Sequence, residues 1–339
     1  GMFGVRPYYE MQSTVTETVE GGIAYTRICC LLTLGIFMEI LGERLLQATG
    51  RTFHTMITQG VGALTNIILD PVFIFGFGMG VKGAAYATLI ARCLELVVVC
   101  IYIFGIDKKI KLKAKELIPF DKALFKLYFK TGSPVFFSGV LWGFAQMLQT
   151  AILGHTTKET IAANSIASTV FSVMSVVVYA AGTATAVIIG KTIGERKISR
   201  LSLYSKTLQL LFVGLGLVTG ALIFVLRDPI NALYSVSDAA KELSSQFMLV
   251  LSITVAGTAY QNSVHTGIVR AGGDTGFVFR VDTLFMWCLT LPLSFLSAFV
   301  FKWPIIVTFI CLKGDQILKC FIAFWKVNYG KWLKNVKAE

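Results

Sequence analysis

The strongest constraint on this chain is a succession of apolar runs, each long enough to cross a lipid bilayer. Nine runs, covering approximately 23–46, 54–77, 83–106, 132–154, 160–190, 203–226, 246–269, 278–300 and 303–325, meet the requirement of roughly 20 residues for a membrane-spanning helix. Only 15% of the 339 residues are charged and 55% are hydrophobic, whereas a soluble domain carries about 25% charged residues. Gly and Pro punctuate several runs, as membrane helices tolerate. The seven cysteines all lie inside apolar runs and form no CxxC pattern, which makes them core residues rather than metal ligands. The expectation is an all-α, polytopic membrane protein of about nine transmembrane helices.

The placement of charge then orients the chain. Residues 107–130, between the third and fourth runs, hold eight lysines. Further basic residues stand in "GKTIGERKISR" (190–200), in the terminal "KVNYGKWLKNVKAE", and at Arg51, Arg270 and Arg280. The opposite connections carry only Lys82, Lys158, Arg227, Lys241 and Lys302. Basic residues accumulate in cytoplasmic loops, so 107–130 and the C-terminus are expected in the cytoplasm and residue 1 outside. The formal net charge of +12 is thereby a topology signal, helped by anionic lipid, and a nucleic-acid partner is excluded.

Two segments repeat. "LLQATGRT" (45–52) and "IVRAGGDT" (268–275) each follow one apolar run and precede another, with Ala48 and Ala271 standing 223 residues apart. Parallel repeats of this kind build transporters with a central site. In the second repeat three runs, 132–226, precede the matched pair. Their counterparts would lie ahead of residue 1, so the repeat implies roughly 90 further residues and three helices there.

The polar residues inside the runs carry the chemistry. In "NIILDPVFIFG" (66–76), Asn66 and Asp70 are spaced i, i+4 and share one helix face. Thr88, five residues into the next run, reaches similar depth. A carboxylate there costs about 2.5–3.5 kcal/mol unless it faces a cavity or a partner. With amide and hydroxyl oxygens beside it, it suits a proton or a small hard cation. Pro71 cannot bond the carbonyl of Ile67, which leaves that oxygen as a ligand or the helix kinked. Glu39, Glu43 and Arg44 lie toward the cytoplasmic end, where snorkelling accounts for them, and Arg92 with Glu95 forms a neutralising i, i+3 pair. Gln146, Gln149, Tyr260 and Asn262 give the second half a polar interior that either lines a substrate cavity or bonds helices together.

The block "GERLLQATGRTFHTMITQGVGALTNIILDPVFIFGFGMGVKGAAYATLIA" (42–91) closely resembles the MATE (multidrug and toxic compound extrusion) family, in its MepA-like bacterial branch. "GSPVFFSGVLWGFAQ", "IAANSIASTVFSV", "IIGKTIGER", "RAGGDT" and "KWLKNV" are similar to the family as well. The resemblance implies a two-lobe fold of six plus six helices. Residues 1–106 then form an amino-terminal lobe remnant (helices four to six), 107–130 the inter-lobe loop, and 131–339 the carboxy-terminal lobe. It implies a monomer in the bacterial cytoplasmic membrane, not an enzyme, exporting amphipathic, often cationic drug-like molecules in exchange for Na⁺ or H⁺. No cofactor is implied beyond that coupling ion. Asn66, Asp70 and Thr88 map onto the family's amino-lobe cation site, whose further carboxylate comes from the first helix. The family's carboxy-lobe acids have no counterpart in "PVFFSGVLWGFAQ" or "VAGTAYQNSVHTG". A lipid-linked precursor flippase of the same superfamily is the alternative, and basic residues inside the cavity would favour it, Arg92 being the one candidate. An inactive fragment is the other alternative.

Overall fold

A computed structural model describes residues 5–12, 16–106 and 121–334. It is built of α-helices, and among the described residues extended pairing is limited to an isolated bridge between Gly273 and Leu333. Two compact units divide between Phe120 and Asp121.

The first unit contains α1 (Val5–Gln12), α2 (Thr16–Cys30), α3 (Thr33–Ala48), α4 (Thr52–Pro71) and α5 (Gly80–Ile101). The α2–α3 pair bends by 60° at a short break. Helix α5 packs against α2, α3 and α4. Two close approaches fix the antiparallel α4–α5 register. A Cβ at Gly83 would stand 2.8 Å from the Phe73 carbonyl carbon, and one at Gly62 would overlap the Glu95 carboxylate. Directly after Pro71 the backbone widens into a π-helical segment, Val72–Gly76. A proline N lacks the hydrogen that would close the regular ladder, and a shift to the wider repeat is one way a helix accommodates it.

The second unit contains α6 (Lys122–Gly154), α7 (Lys158–Met174), α8 (Val176–Gly194), α9 (Ile198–Ala232) and α10 (Asp238–Ser263), followed by α11 (Thr275–Leu284), α12 (Leu291–Phe295), α13 (Ile305–Lys313) and α14 (Asp315–Asn328). Side-chain caps start three of them. Asp121 accepts from the Ala123 and Leu124 amides, Thr157 from Thr160, and Ser237 from Ala240, each satisfying amides that no helical carbonyl reaches. Helix α10 is the hub and touches α7, α8, α9, α13 and α14. Gly216 lets α9 approach it so closely that a Cβ would meet Ala256 Cα at 2.8 Å, the small-residue contact typical of membrane helices. Phe247 and Phe309 stack at 4.0 Å in the core beneath.

Seven helices among the described residues are long and apolar enough to cross a membrane, or eight if the bent pair counts as one span. The fold is therefore the expected all-α membrane architecture, with differences in detail. The apolar run 160–190 is two helices meeting at Ser175, and the run 303–325 is α13 and α14 meeting at Gly314. Residues 122–130, read as loop, open α6; 107–120 lie outside the described residues. The repeat has a backbone signature. Gly50 (φ +79) and Gly273 (φ +92), 223 residues apart, both adopt the left-handed conformation that closes a helix. The spans that follow end alike: Met79 N–H bonds Phe73 O at 3.0 Å, and Trp303 N–H bonds Ser297 O at 2.9 Å.

Candidate functional site

In the first unit, Asn66 and Asp70 occupy one half-buried face of α4. Asn66 Oδ1 and Asp70 Oδ1 are both buried without a hydrogen-bond partner. The α4–α5 register sets Asp70 level with Ala87 and Thr88 level with Leu69. Thr88 Oγ1 lies 3.4 Å from Tyr25 Oη on α2, and among the described residues no hydrogen bond joins it to Asn66 or Asp70. Two unsatisfied oxygens one helical turn apart, with a hydroxyl at matching depth, form a donor set that fits a hard cation or a proton.

Two acids expected to snorkel do not. Glu39 is 0% and Glu43 6% exposed, because Gly35 and Gly42 let Leu96 and Val99 of α5 close over that face of α3. Arg44 does turn outward and bonds Gln47 at 2.8 Å. Arg92 and Glu95 pair at 2.6 Å, with Glu95 3% exposed.

The second unit contains an open cavity of about 400 Å³. Gln146, Gln149 and Asn262 line it, as do Trp142, Met286 and Trp287; Gln149 Nε2 donates to Met286 Sδ at 3.1 Å. Tyr260 lies elsewhere. Its hydroxyl donates to Gln209 Oε1 at 2.6 Å in the packed core between α9 and α10, because its position on α10 faces α9 rather than the cavity.

Sequence reasoning missed the charged wall of this cavity, formed by Arg270, Asp282, Lys313 and Lys319. Asp282 lies 3.7 Å from Arg270, 3.8 Å from Lys319 and 3.8 Å from His265 Nδ1. Lys319 pairs with Asp315 at 2.8 Å, and Gln316 donates from Nε2 to that carboxylate while its Oε1 accepts from Gln261 Nε2. Lys313 reaches the cavity without a hydrogen-bond or ion-pair partner among the described residues, and Trp287 Nε1 and Arg270 Nε are buried donors with free capacity. The signal was present in Asp282, Lys313, Asp315 and Lys319, four charges inside two apolar runs. Arg92 is accordingly not the one basic residue within reach of an interior space. Among the described residues no group of three or more His, Cys, Asp or Glu side chains could hold a metal ion.

The MatE family model matches residues 134–296. The multidrug resistance protein MdtK of Pectobacterium atrosepticum is 27% identical over 262 residues, 74% of this chain and 56% of MdtK. The probable multidrug resistance protein NorM of Thermotoga maritima is 23% identical over 97% of this chain and 72% of its own. The multidrug export protein MepA of Staphylococcus aureus is 29% identical over 41% of this chain. Residues 134–296 of this chain thus carry the MatE family pattern. The chain spans little more than half of MdtK. A solved outward-facing structure of a multidrug resistance MATE family transporter of the MOP superfamily superimposes with a TM-score of 0.84 at 19% identity, covering 96% of this chain and 73% of that one. At that identity the likeness establishes a MATE-type fold, in agreement with the helical membrane architecture above.

Proposed function

We propose that this MATE chain takes part in secondary antiport, exporting amphipathic small molecules through the bacterial cytoplasmic membrane in exchange for Na⁺ or H⁺. The observation that carries the coupling role is the pair of buried, unpartnered oxygens on Asn66 and Asp70. Buried polar groups are normally satisfied, and a coupling ion would satisfy these. The names of MdtK, NorM and MepA support drug export as the activity, with MepA the relative whose branch the 42–91 block resembles.

A second reading has its own support. Three cations, Arg270, Lys313 and Lys319, face the cavity; Asp282 stands beside Arg270 and Asp315 pairs with Lys319, which leaves Lys313 as the uncompensated charge. An anionic headgroup, as on a lipid-linked precursor, suits that wall better than a cationic drug.

One experiment separates the readings. The chain is expressed in an efflux-deficient bacterium, and efflux of cationic ethidium and of an anionic fluorescent amphiphile is followed under imposed Na⁺ or pH gradients. Gradient-driven ethidium efflux supports the first reading and selective movement of the anionic probe supports the second. Asp70→Asn is expected to reduce gradient-driven transport at least about tenfold, the loss of a coupling free energy of order 1–3 kcal/mol. Full transport in Asp70→Asn would remove the coupling role.

A further inference from the structure

Three glutamates meet inside the first unit, away from Asn66 and Asp70. Glu39 (0% exposed) and Glu43 (6%) lie one turn apart on α3, and Glu95 (3%) reaches them from α5. The charges are unevenly matched. Arg92 Nη1 donates to Glu95 Oε2 at 2.6 Å, and Gln59 Nε2 donates to Glu43 Oε2 at 2.8 Å. Those two bonds account for Glu95 and for one oxygen of Glu43. Glu43 Oε1 and both oxygens of Glu39 are buried with no partner at all.

The charged and titratable groups facing Glu39 are Glu43 from its own helix and Glu95 and Arg92 from α5; α4 contributes the neutral Gln59. Arg92, already committed to Glu95, is the only cation of the set. A fully enclosed carboxylate with no donor and two like charges beside it is unfavourable by several kcal/mol. A proton resolves the arrangement. Glu39 and Glu43, spaced i, i+4, share one buried face of α3, so a hydroxyl on Glu39 can turn to the free Glu43 Oε1 while Gln59 holds the other Glu43 oxygen. Gly62 completes the seat, since a side chain there would displace the Glu95 carboxylate.

We propose that Glu39 and Glu43 form a proton-binding site in which one proton is shared between the two carboxyls, separate from the Asn66–Asp70 set. Gly62, which faces Glu95, precedes Asp70 by eight residues on α4, so the two acidic stations stand roughly 12 Å apart along that helix at 1.5 Å per residue. The site rests on the packing of α3, α4 and α5 and is independent of which substrate the protein moves.

Infrared difference spectroscopy of the purified chain tests this, because a protonated carboxyl has a C=O band distinct from that of a carboxylate and shifts in D₂O. At pH 7 the wild-type chain is expected to show such a band. Glu39→Gln, whose amide can donate to Glu43 as the acid does, is expected to remove the band while keeping the thermal midpoint of the wild type. Asp70→Asn is expected to leave the band in place. Absence of the band at pH 7, or its persistence unchanged in Glu39→Gln, would overturn the proposal. So would bleaching of the band by Na⁺ at constant pH, which would make the site a cation seat instead.

Discussion

Single side chains decide what this protein can hold. Asp70 and Lys313 are opposite cases of one rule, that an unpartnered polar group inside a membrane protein is there to meet something. Asp70 presents a free oxygen beside that of Asn66, whereas Lys313 presents a cation to a cavity in which Asp282 already has Arg270, His265 and Lys319 around it. Adding a like charge to that wall strengthens its preference for anions, and reversing one weakens it. Lys313→Glu is therefore expected to weaken binding of an anionic amphiphile about tenfold, the equivalent of one charge-assisted hydrogen bond. It should strengthen ethidium binding relative to the wild type. Fluorescence titration of the purified chain with both dyes checks this, and equal affinities in wild type and variant would remove Lys313 from the site.

Elements place these residues, and their joints are the informative parts. The "RAGGDT" turn is held by a clamp. Lys326 of α14 and Lys334 of the tail each pair with Asp274 at 2.7 Å, the Lys334 amide bonds Gly272 O at 2.9 Å, and Trp332 lies over Gly272. Burial works against the Asp274 charge, but the two lysines outweigh it and hold the carboxyl below the usual carboxylate range. A depressed acid contributes stability that is fully present above its unfolded-state value of about 3.9 and is lost as pH falls through the folded-state value. Thermal melts between pH 7 and pH 3 are expected to show Asp274→Asn less stable by on the order of 2–3 kcal/mol at pH 7, with the difference from wild type shrinking in acid. A constant difference across that range would exclude the clamp's charge as its source. The turn itself was legible in the sequence as one half of the repeat, and so were the spans, because hydrophobic length and a repeated glycine are local properties. The clamp, the burial of Glu39 and Glu43 and the cavity wall were not. Each depends on which face of one helix a distant helix covers: nothing near Glu39 in the sequence announces that α5 closes over it, and nothing near Tyr260 announces that it faces α9 while Asn262 faces the cavity.

For the molecule in its membrane, orientation is the property on which the proposed antiport depends, since the proposed coupling ion would be taken from one side and released to the other. Within the second unit the connections alternate. The turn at Glu195–Lys197, the turn at Arg270–Asp274 and the tail after Asn328 lie at one end of the bundle, the last two joined directly through Gly272 and Lys334. The turns around Thr157, Ser235 and Lys302 lie at the other. Arg196, Lys197, Arg200, Arg270, Lys331 and Lys334 crowd the first end, whereas Lys158, Arg227, Lys241 and Lys302 are spread along the second. The excess predicts that the first end faces the cytoplasm. In a cysteine-depleted background, Ser235→Cys is accordingly expected to react with a membrane-impermeant maleimide in intact cells, and Lys197→Cys only after the cells are permeabilised. Both positions are exposed, so failure to label reflects the side of the membrane rather than burial. The reverse pattern would place the C-terminus outside and would invert the side from which the ions proposed for Asp70 and the Glu39–Glu43 pair are taken.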